Sequence, residues 1–211
     1  MGFQAEGTKK STCKHCISRR ERIFQKRARE ILDDLPDGFT VVSTDESFFF
    51  FDSLVRRVWI KKNERPIVRV TGSHQQSILF GSTSLEGKQL FRQYDWFNEN
   101  TFLDYLKQVH RKFPKCYLFL DKAVQHYKSK KVLKYFDDNM NSLIPVWVPT
   151  ASPEFMVLEE IWNISKNDLL VLQYYSSFAD FRNKISRYFR TKRFNLNMRN
   201  YLLGSDLGNL C

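Results

Sequence analysis

Phe39-Thr40-Val41-Val42-Ser43-Thr44-Asp45-Glu46-Ser47-Phe48-Phe49-Phe50-Phe51 is the stretch on which the reading of the fold turns. Its β-branched and aromatic content predicts a strand. Asp45 interrupts it among Val41, Val42, Phe48 and Phe50, where a carboxylate is costly to bury without compensation. Working outward, Arg57–Lys61, Ile67–Thr71, Gln76–Ser84 and Gln89–Phe97 read as further strands, punctuated by Gly72, Gly81 and Gly87. That is a run of neighbouring hairpins. The period then changes: Phe102, Tyr105, Leu106 and Val109 share one helical face within Asn98–Phe113. Pro114-Lys115 ends that helix, and Cys116–Leu120 is a short apolar strand closed by Asp121. A helix over Ser129–Asp138 is expected to bury Val132, Leu133 and Phe136, and Leu143–Val148 is another strand. Ser152-Pro153-Glu154 then has the form of a helix start, with a hydroxyl at the N-cap, proline at N1 and an acid in the first turn. Antiparallel strands followed by alternating helix and strand predict an α/β fold, a mixed sheet covered by crossover helices.

The chain has 211 residues, which suits one such domain with an extension. Residues 1–38 form a charged arm, helix-prone from Ser18 to Leu35 and closed by Pro36-Asp37-Gly38. Residues 39–170 form the α/β domain, and 171–211 a basic, aromatic tail expected to pack on it. The N-terminal charges are followed by more charge rather than by an apolar segment, which is unlike a secretory signal. The longest aromatic run is far too short to span a membrane. Four cysteines, Cys13, Cys16, Cys116 and Cys211, are too few and too scattered for a disulfide framework, so a reducing, cytoplasmic setting is expected. A net charge of +11 calls for an acidic partner, of which nucleic acid is the commonest.

Three carboxylates stand where chemistry is expected. Asp45 lies inside the first strand. Asp121 ends a strand, and the carboxyl ends of strands are where open α/β sheets bind ligands. Glu159 is expected two turns into the helix begun at Pro153. Three oxygen donors suit Mg²⁺ or Mn²⁺, and a pair of such ions is suited to phosphodiester chemistry. The bland alternatives are a turn-capping aspartate and a solvated helical glutamate.

Asp45-Glu46-Ser47-Phe48, with Arg57-Val58-Trp59 and Arg65-Pro66, resembles the first block of the mariner-superfamily DDE transposases, in particular the prokaryotic insertion-sequence six-thirty group. Leu118-Phe119-Leu120-Asp121, with His126 five positions later, is similar to the second block. Pro149-Thr150-Ala151-Ser152-Pro153-Glu154-Phe155, running into Leu158-Glu159-Glu160-Ile161-Trp162, is similar to the third, and Asn98-Glu99-Asn100-Thr101-Phe102 also fits. The resemblance implies a ribonuclease H-like fold over 39–170 and a DDE site of Asp45, Asp121 and Glu159 holding two Mg²⁺ or Mn²⁺ ions. Glu160 is the alternative third acid; Glu159 is preferred because it stands three residues before Trp162, as the family's acid does. The implied reaction is hydrolysis of double-stranded DNA at element ends, followed by attack of the freed 3′-hydroxyl on target DNA, typically at TA, with a homodimer assembled on DNA. The implied location is the nucleoid of a prokaryotic cytoplasm. The chain departs from the family in three ways. Lys122 replaces the usual asparagine, Met156-Val157 replaces an Asn-Pro, and the Asp121–Glu159 spacing is a few residues longer. The family's helix-turn-helix modules exceed what residues 1–38 can hold, so the resemblance is to a catalytic half, either the second product of a split gene that works with a separate helix-turn-helix polypeptide or a decayed remnant.

Other features keep two readings. Cys13-Lys14-His15-Cys16 supplies half of a tetrahedral zinc site but lacks a second pair. His126 reads either as an exposed loop imidazole or as a group near the site, while His74 and His110 read as surface residues. The tail interleaves Phe181, Ile185, Tyr188 and Phe189 with Arg182, Lys184, Arg187, Arg190, Lys192 and Arg193, an apolar stripe with a basic face suited to DNA phosphates. Arg19, Arg20, Arg22, Lys26, Arg27 and Arg29 offer a second such patch. The rival functions are a non-catalytic DNA-binding remnant of a transposase and a ribonuclease H-like nuclease.

Overall fold

A computed structural model describes residues 18–54, 67 and 69–204. Five strands, β1 (Thr40–Phe50), β2 (Gln76–Ser84), β3 (Gln89–Tyr94), β4 (Cys116–Leu120) and β5 (Leu143–Trp147), form one mixed sheet in the order β3-β2-β1-β4-β5. The β1–β2 and β2–β3 pairs are antiparallel, whereas β1–β4 and β4–β5 are parallel. The parallel pairs are joined by helices, as parallel strands require. α2 (Glu99–Lys112) precedes β4, and α3 (Val124–Tyr127) and α4 (Lys130–Asp138) carry the chain from β4 to β5.

Each face of the sheet has its own core. Val42, Phe80 and Leu118 pack under Phe102, Tyr105 and Leu106 of α2 and Val132 and Phe136 of α4. On the other face, Val41, Phe49 and Phe119 meet α1 (Arg19–Asp33), α5 (Val157–Leu170), α6 (Phe178–Thr191) and α7 (Met198–Leu203). Alternation along β1 explains the division, because successive side chains point to opposite faces. Fully buried rings such as Phe49 and Phe119 each contribute about 1.5–3 kcal/mol by leaving water. The hydroxyls of Thr44, Ser82 and Tyr105, enclosed under α2, satisfy one another: Tyr105 Oη lies 2.7 Å from Ser82 Oγ and donates to the Leu90 carbonyl at 3.0 Å, and Ser82 Oγ donates to Thr44 Oγ1 at 2.9 Å. Local signals set the helix starts. Ser18 and Glu21 form a reciprocal capping box on α1, and the Asn98 side chain accepts from the amides of Asn100 and Thr101.

Several expectations are corrected. Ile67 and residues 69–71 are irregular rather than a strand; the Asp52 carboxylate accepts the amides of Thr71 and Gly72. Pro153–Phe155 is a single 3₁₀ turn, and α5 begins only at Val157, after Met156 in an extended conformation. The break buries Phe155 and Met156, and Phe155 sits 4.9 Å from the Phe24 ring of α1. Ser152 caps nothing; its hydroxyl donates to Glu21 of α1. Leu133 is 37% exposed, because it stands one residue off the stripe that Val132 and Phe136 bury. His110 is half-buried, with its ring nitrogens 3.0 Å from Tyr135 Oη and 3.1 Å from Ser142 Oγ. The expected Arg57–Lys61 strand, Arg65-Pro66 and the Cys13/Cys16 pair lie outside the described residues.

Candidate active site

The parallel register of β1 and β4 pairs Ser43 with Phe119. Two residues further along, Asp45 and Asp121 therefore reach the same level, Asp121 just past the last residue of β4. Asp45 points to the α5 side, where the Trp162 indole Nε1 donates to its Oδ2 at 2.9 Å. Glu159 is in the first turn of α5, one turn before Trp162 and not two turns into a helix begun at Pro153. Residues three apart share a helix face, so the turn that seats Trp162 on the sheet also carries Glu159 toward Asp45. The three acids line one cleft of about 200 Å³, together with Lys122 and the loop from Val148 to Pro153. Glu160 is not among the residues that line it.

Gly81 makes this arrangement possible. It pairs with Asp45 across β1–β2, and a Cβ there would stand 2.6 Å from the Trp162 ring and 2.9 Å from Phe91. A side chain at this position would displace the indole that donates to the Asp45 carboxylate. Ala151, in the cleft loop, holds φ at 60°, a left-handed conformation uncommon for residues other than glycine.

The electrostatics differ from acid to acid. Burial pushes Asp45 up to about 7; the Trp162 hydrogen bond opposes that rise, and the charges of Glu159 and Asp121 add to it. Asp121 is held below the usual carboxylate range: burial alone would raise it, but the hydrogen bond and charge of His126 and the amide of Ala123 outweigh burial. His126 Nδ1 lies 2.7 Å from Asp121 Oδ1, and with Asp121 ionised this contact places the ring proton on Nδ1. His126 is no exposed loop imidazole. It is 1% exposed, on the short helix α3, with its ring centroid 4.0 Å from that of Phe102.

One residue escaped the sequence reading altogether. Glu46 follows Asp45 and so points to the opposite face, where its Oε2 lies 3.5 Å from His126 Nε2 and neither atom has a hydrogen bond. Burial, followed by repulsion from Asp45 and Asp121, pushes Glu46 up to about 9. Ligating atoms of Glu46, Asp121 and His126 lie within 4.8 Å of one another, a set that could itself hold a cation. The available signal was alternation: two consecutive acids inside a strand covered on both faces must serve two environments. Lys122 is exposed at the cleft, and Asp121 takes His126 rather than Lys122 as its partner.

The basic tail residues do not form one face. Arg182 pairs with Asp95 and Lys192 with Asp168. Lys184 and Arg187 are exposed, and Arg190 and Arg193 turn into a groove beside β3.

No curated protein matches the chain by sequence. Among solved structures, the Mos1 transposase paired-end complex with the left transposon end superposes with a TM-score of 0.64 at 16% identity, over 99% of this chain and 68% of that one. The Mos1 strand transfer complex gives 0.66 at 15% identity, over 100% and 68%. The catalytic domain of the Mos1 mariner transposase gives 0.59 at 16%, over 92% and 98%. These likenesses establish the ribonuclease H-like fold. The family of DDE superfamily endonucleases matches residues 40–182, about two thirds of the chain. That span takes in every strand of the sheet and all three cleft carboxylates, and the chain belongs to the DDE superfamily of endonucleases.

Proposed function

We propose that the chain is the catalytic domain of a DNA transposase, with Asp45, Asp121 and Glu159 as its metal-holding acids. The observation that carries this reading is their meeting in one cleft at the ends of two parallel strands, with Asp45 and Asp121 level across the register. The donor set fits divalent metal ions, on which DDE endonucleases depend. All three donors are hard oxygens, and the buried Asp45 feels two further carboxylates, an excess of negative charge that Mg²⁺ or Mn²⁺ would offset. When bound, two such ions supply Lewis acidity at the attacking and leaving oxygens of a phosphodiester. Two ions per site is our reading, with Asp45 and Asp121 holding both and Glu159 completing one set of ligands.

The chain's own residues prepare the site. Trp162 fixes one oxygen of Asp45, and His126, carrying its proton on Nδ1, fixes one oxygen of Asp121. Lys122 presents an ammonium to the cleft, where it would attract a phosphate rather than displace the metal. The Mos1 complexes hold transposon-end DNA, and others of that protein contain Mn or Mg; by analogy we assign double-stranded DNA as the partner here. A homodimer on DNA, a separate helix-turn-helix polypeptide and work in a prokaryotic nucleoid belong to the same reading. Among the described residues no helix is long and apolar enough to cross a membrane.

The test is incubation of the purified chain with supercoiled plasmid and with an RNA–DNA hybrid, in Mn²⁺, Mg²⁺ or chelator. Metal-dependent nicking of the plasmid that leaves 3′-hydroxyl ends is expected. Salt-sensitive DNA binding without any cut would favour the non-catalytic remnant, and cutting confined to the hybrid would favour a ribonuclease H-like nuclease.

A further inference from the structure

We propose that the groove between edge strand β3 and helix α6 is a second DNA site, gripping the sugar-phosphate backbone of a duplex away from the reacting phosphodiester. The proposal rests on the DNA-acting part of the reading above. The groove has a volume of about 600 Å³, and no carboxylate lines it. Its cations come from separate parts of the chain: Arg92 from β3, Lys112 from the end of α2, and Arg182, Arg190 and Arg193 from α6 and the residues just after it. Arg182 is engaged with Asp95. The other four pair with no carboxylate among the described residues.

Neutral partners hold these cations in position. Lys112 Nζ donates to the Gln89 carbonyl at 2.6 Å, Arg92 Nε donates to Gln108 Oε1 at 2.6 Å, and an Arg193 guanidinium nitrogen donates to the Arg190 carbonyl at 3.3 Å. A guanidinium has five N–H donors, so both arginines keep several for an incoming oxyanion. The cluster is also mutually repulsive: burial first, and then the charges of Arg92, Arg193 and Lys88, hold Lys112 below its ordinary value. Lys112 stands in the last turn of α2, where the helix dipole favours a cation. That accounts for one of the four. A surface built only for solubility mixes both signs, whereas a one-signed trough raises the local concentration of the opposite charge.

The floor decides the class of ligand. Phe91 and Phe189 meet at 4.7 Å with their planes tilted by 45°, and Phe91 packs edge-on against Trp162 at 6.0 Å, so both rings are engaged with other rings. Single-strand sites offer rings on which bases stack; this groove offers guanidinium and ammonium groups with the side chains of Gln93 and Ser186, the set that binds phosphate and sugar without reading sequence. β3 is two strands from β1, about 10 Å at the usual spacing, and Phe91 touches the indole that holds Asp45. The groove and the acids are therefore built on the same sheet.

The experiment is fluorescence anisotropy of a labelled duplex of arbitrary sequence against the full chain, in chelator and over a range of salt. The parent is compared with the pair Arg92→Gln/Lys112→Gln, the pair Arg190→Gln/Arg193→Gln, and the charge-matched control Lys107→Gln/Lys130→Gln at two exposed lysines outside the groove. Each groove pair is expected to weaken binding and to lower the slope of log affinity against log salt by about 1.8, the loss of two phosphate contacts; the control should move it little. Unchanged circular dichroism and melting temperature certify that the variants are folded. Parental binding by both groove pairs, an equal loss in the control, or no duplex binding by the parent would overturn the proposal. Nicking by the parent is scored separately: the groove can fail while the catalytic reading stands, and the parent can bind through the groove yet never cut.

Discussion

Asp45 and Glu46 are consecutive acids on one strand, and the structure gives them opposite circumstances. Asp45 opens to a cleft, is backed by an indole N–H, and shares its space with Asp121 and Glu159. Glu46 is closed in under α2 and α3, with a histidine too distant for a hydrogen bond. Both are pushed up by burial, but only Asp45 faces a route by which a cation and a phosphate could arrive. Similar burial thus leaves one acid accessible and the other enclosed, according to which neighbouring elements cover its face. The His126 ring touches both environments, bound to Asp121 through Nδ1 and facing Glu46 through Nε2.

Substitution at Asp45 should have the largest effect. Asp45→Asn is expected to cut metal-dependent nicking at least about a thousandfold, or roughly 4 kcal/mol of transition-state stabilisation. The same variant should melt higher than the parent in chelator above pH 7, because it removes a buried charge. Glu46→Gln should retain activity within about tenfold in the same plasmid assay, since one decade is only ~1.4 kcal/mol. An inactive Glu46→Gln would break the comparison and point to Glu46, Asp121 and His126 as the metal set. Next comes His126→Ala, which leaves Asp121 without its orienting partner; a 10- to 100-fold loss in rate or Mn²⁺ affinity is expected, read from nicking against Mn²⁺ concentration.

Smaller effects sharpen the contrast. Gly81→Ala drives a methyl into Trp162 and should cost about 1–3 kcal/mol, seen in chemical denaturation, with activity falling as the indole leaves Asp45. The last contrast is in pH dependence. Glu46 has an ordinary value of 4.5 and stands at about 9 in the folded chain, so the folded state holds a proton that the unfolded state releases. Its contribution to stability is therefore complete below about 4.5 and is lost as pH rises through 9. Melting temperatures between pH 5 and pH 9 should fall less steeply for Glu46→Gln than for the parent.

Much of this was legible in the sequence because the signals are local. The alternation around Asp45, the abrupt end of an apolar strand at Asp121 and the helical period after Asn98 each depend on a few neighbouring residues. What stayed hidden depends on distant contacts. The late start of α5 follows from burying Phe155 against Phe24 of α1. The burial of His126 depends on Phe102, and the role of Gly81 depends on Trp162. The groove draws Arg92 from β3, Lys112 from α2 and Arg193 from beyond α6, so no window of sequence could contain it, and Asp95 and Asp168, which pair with Arg182 and Lys192, are just as distant in the chain.

The cleft is tested most directly by the single-turnover rate of plasmid nicking in Mn²⁺ for the parent, Asp45→Asn, Asp121→Asn and Glu159→Gln, with Glu160→Gln alongside. The first three substitutions are each expected to abolish nicking while leaving the fold intact, and Glu160→Gln to nick within a few-fold of the parent. Parental rates in any of those three, or loss of nicking in Glu160→Gln with Glu159→Gln active, would contradict the assignment of the cleft.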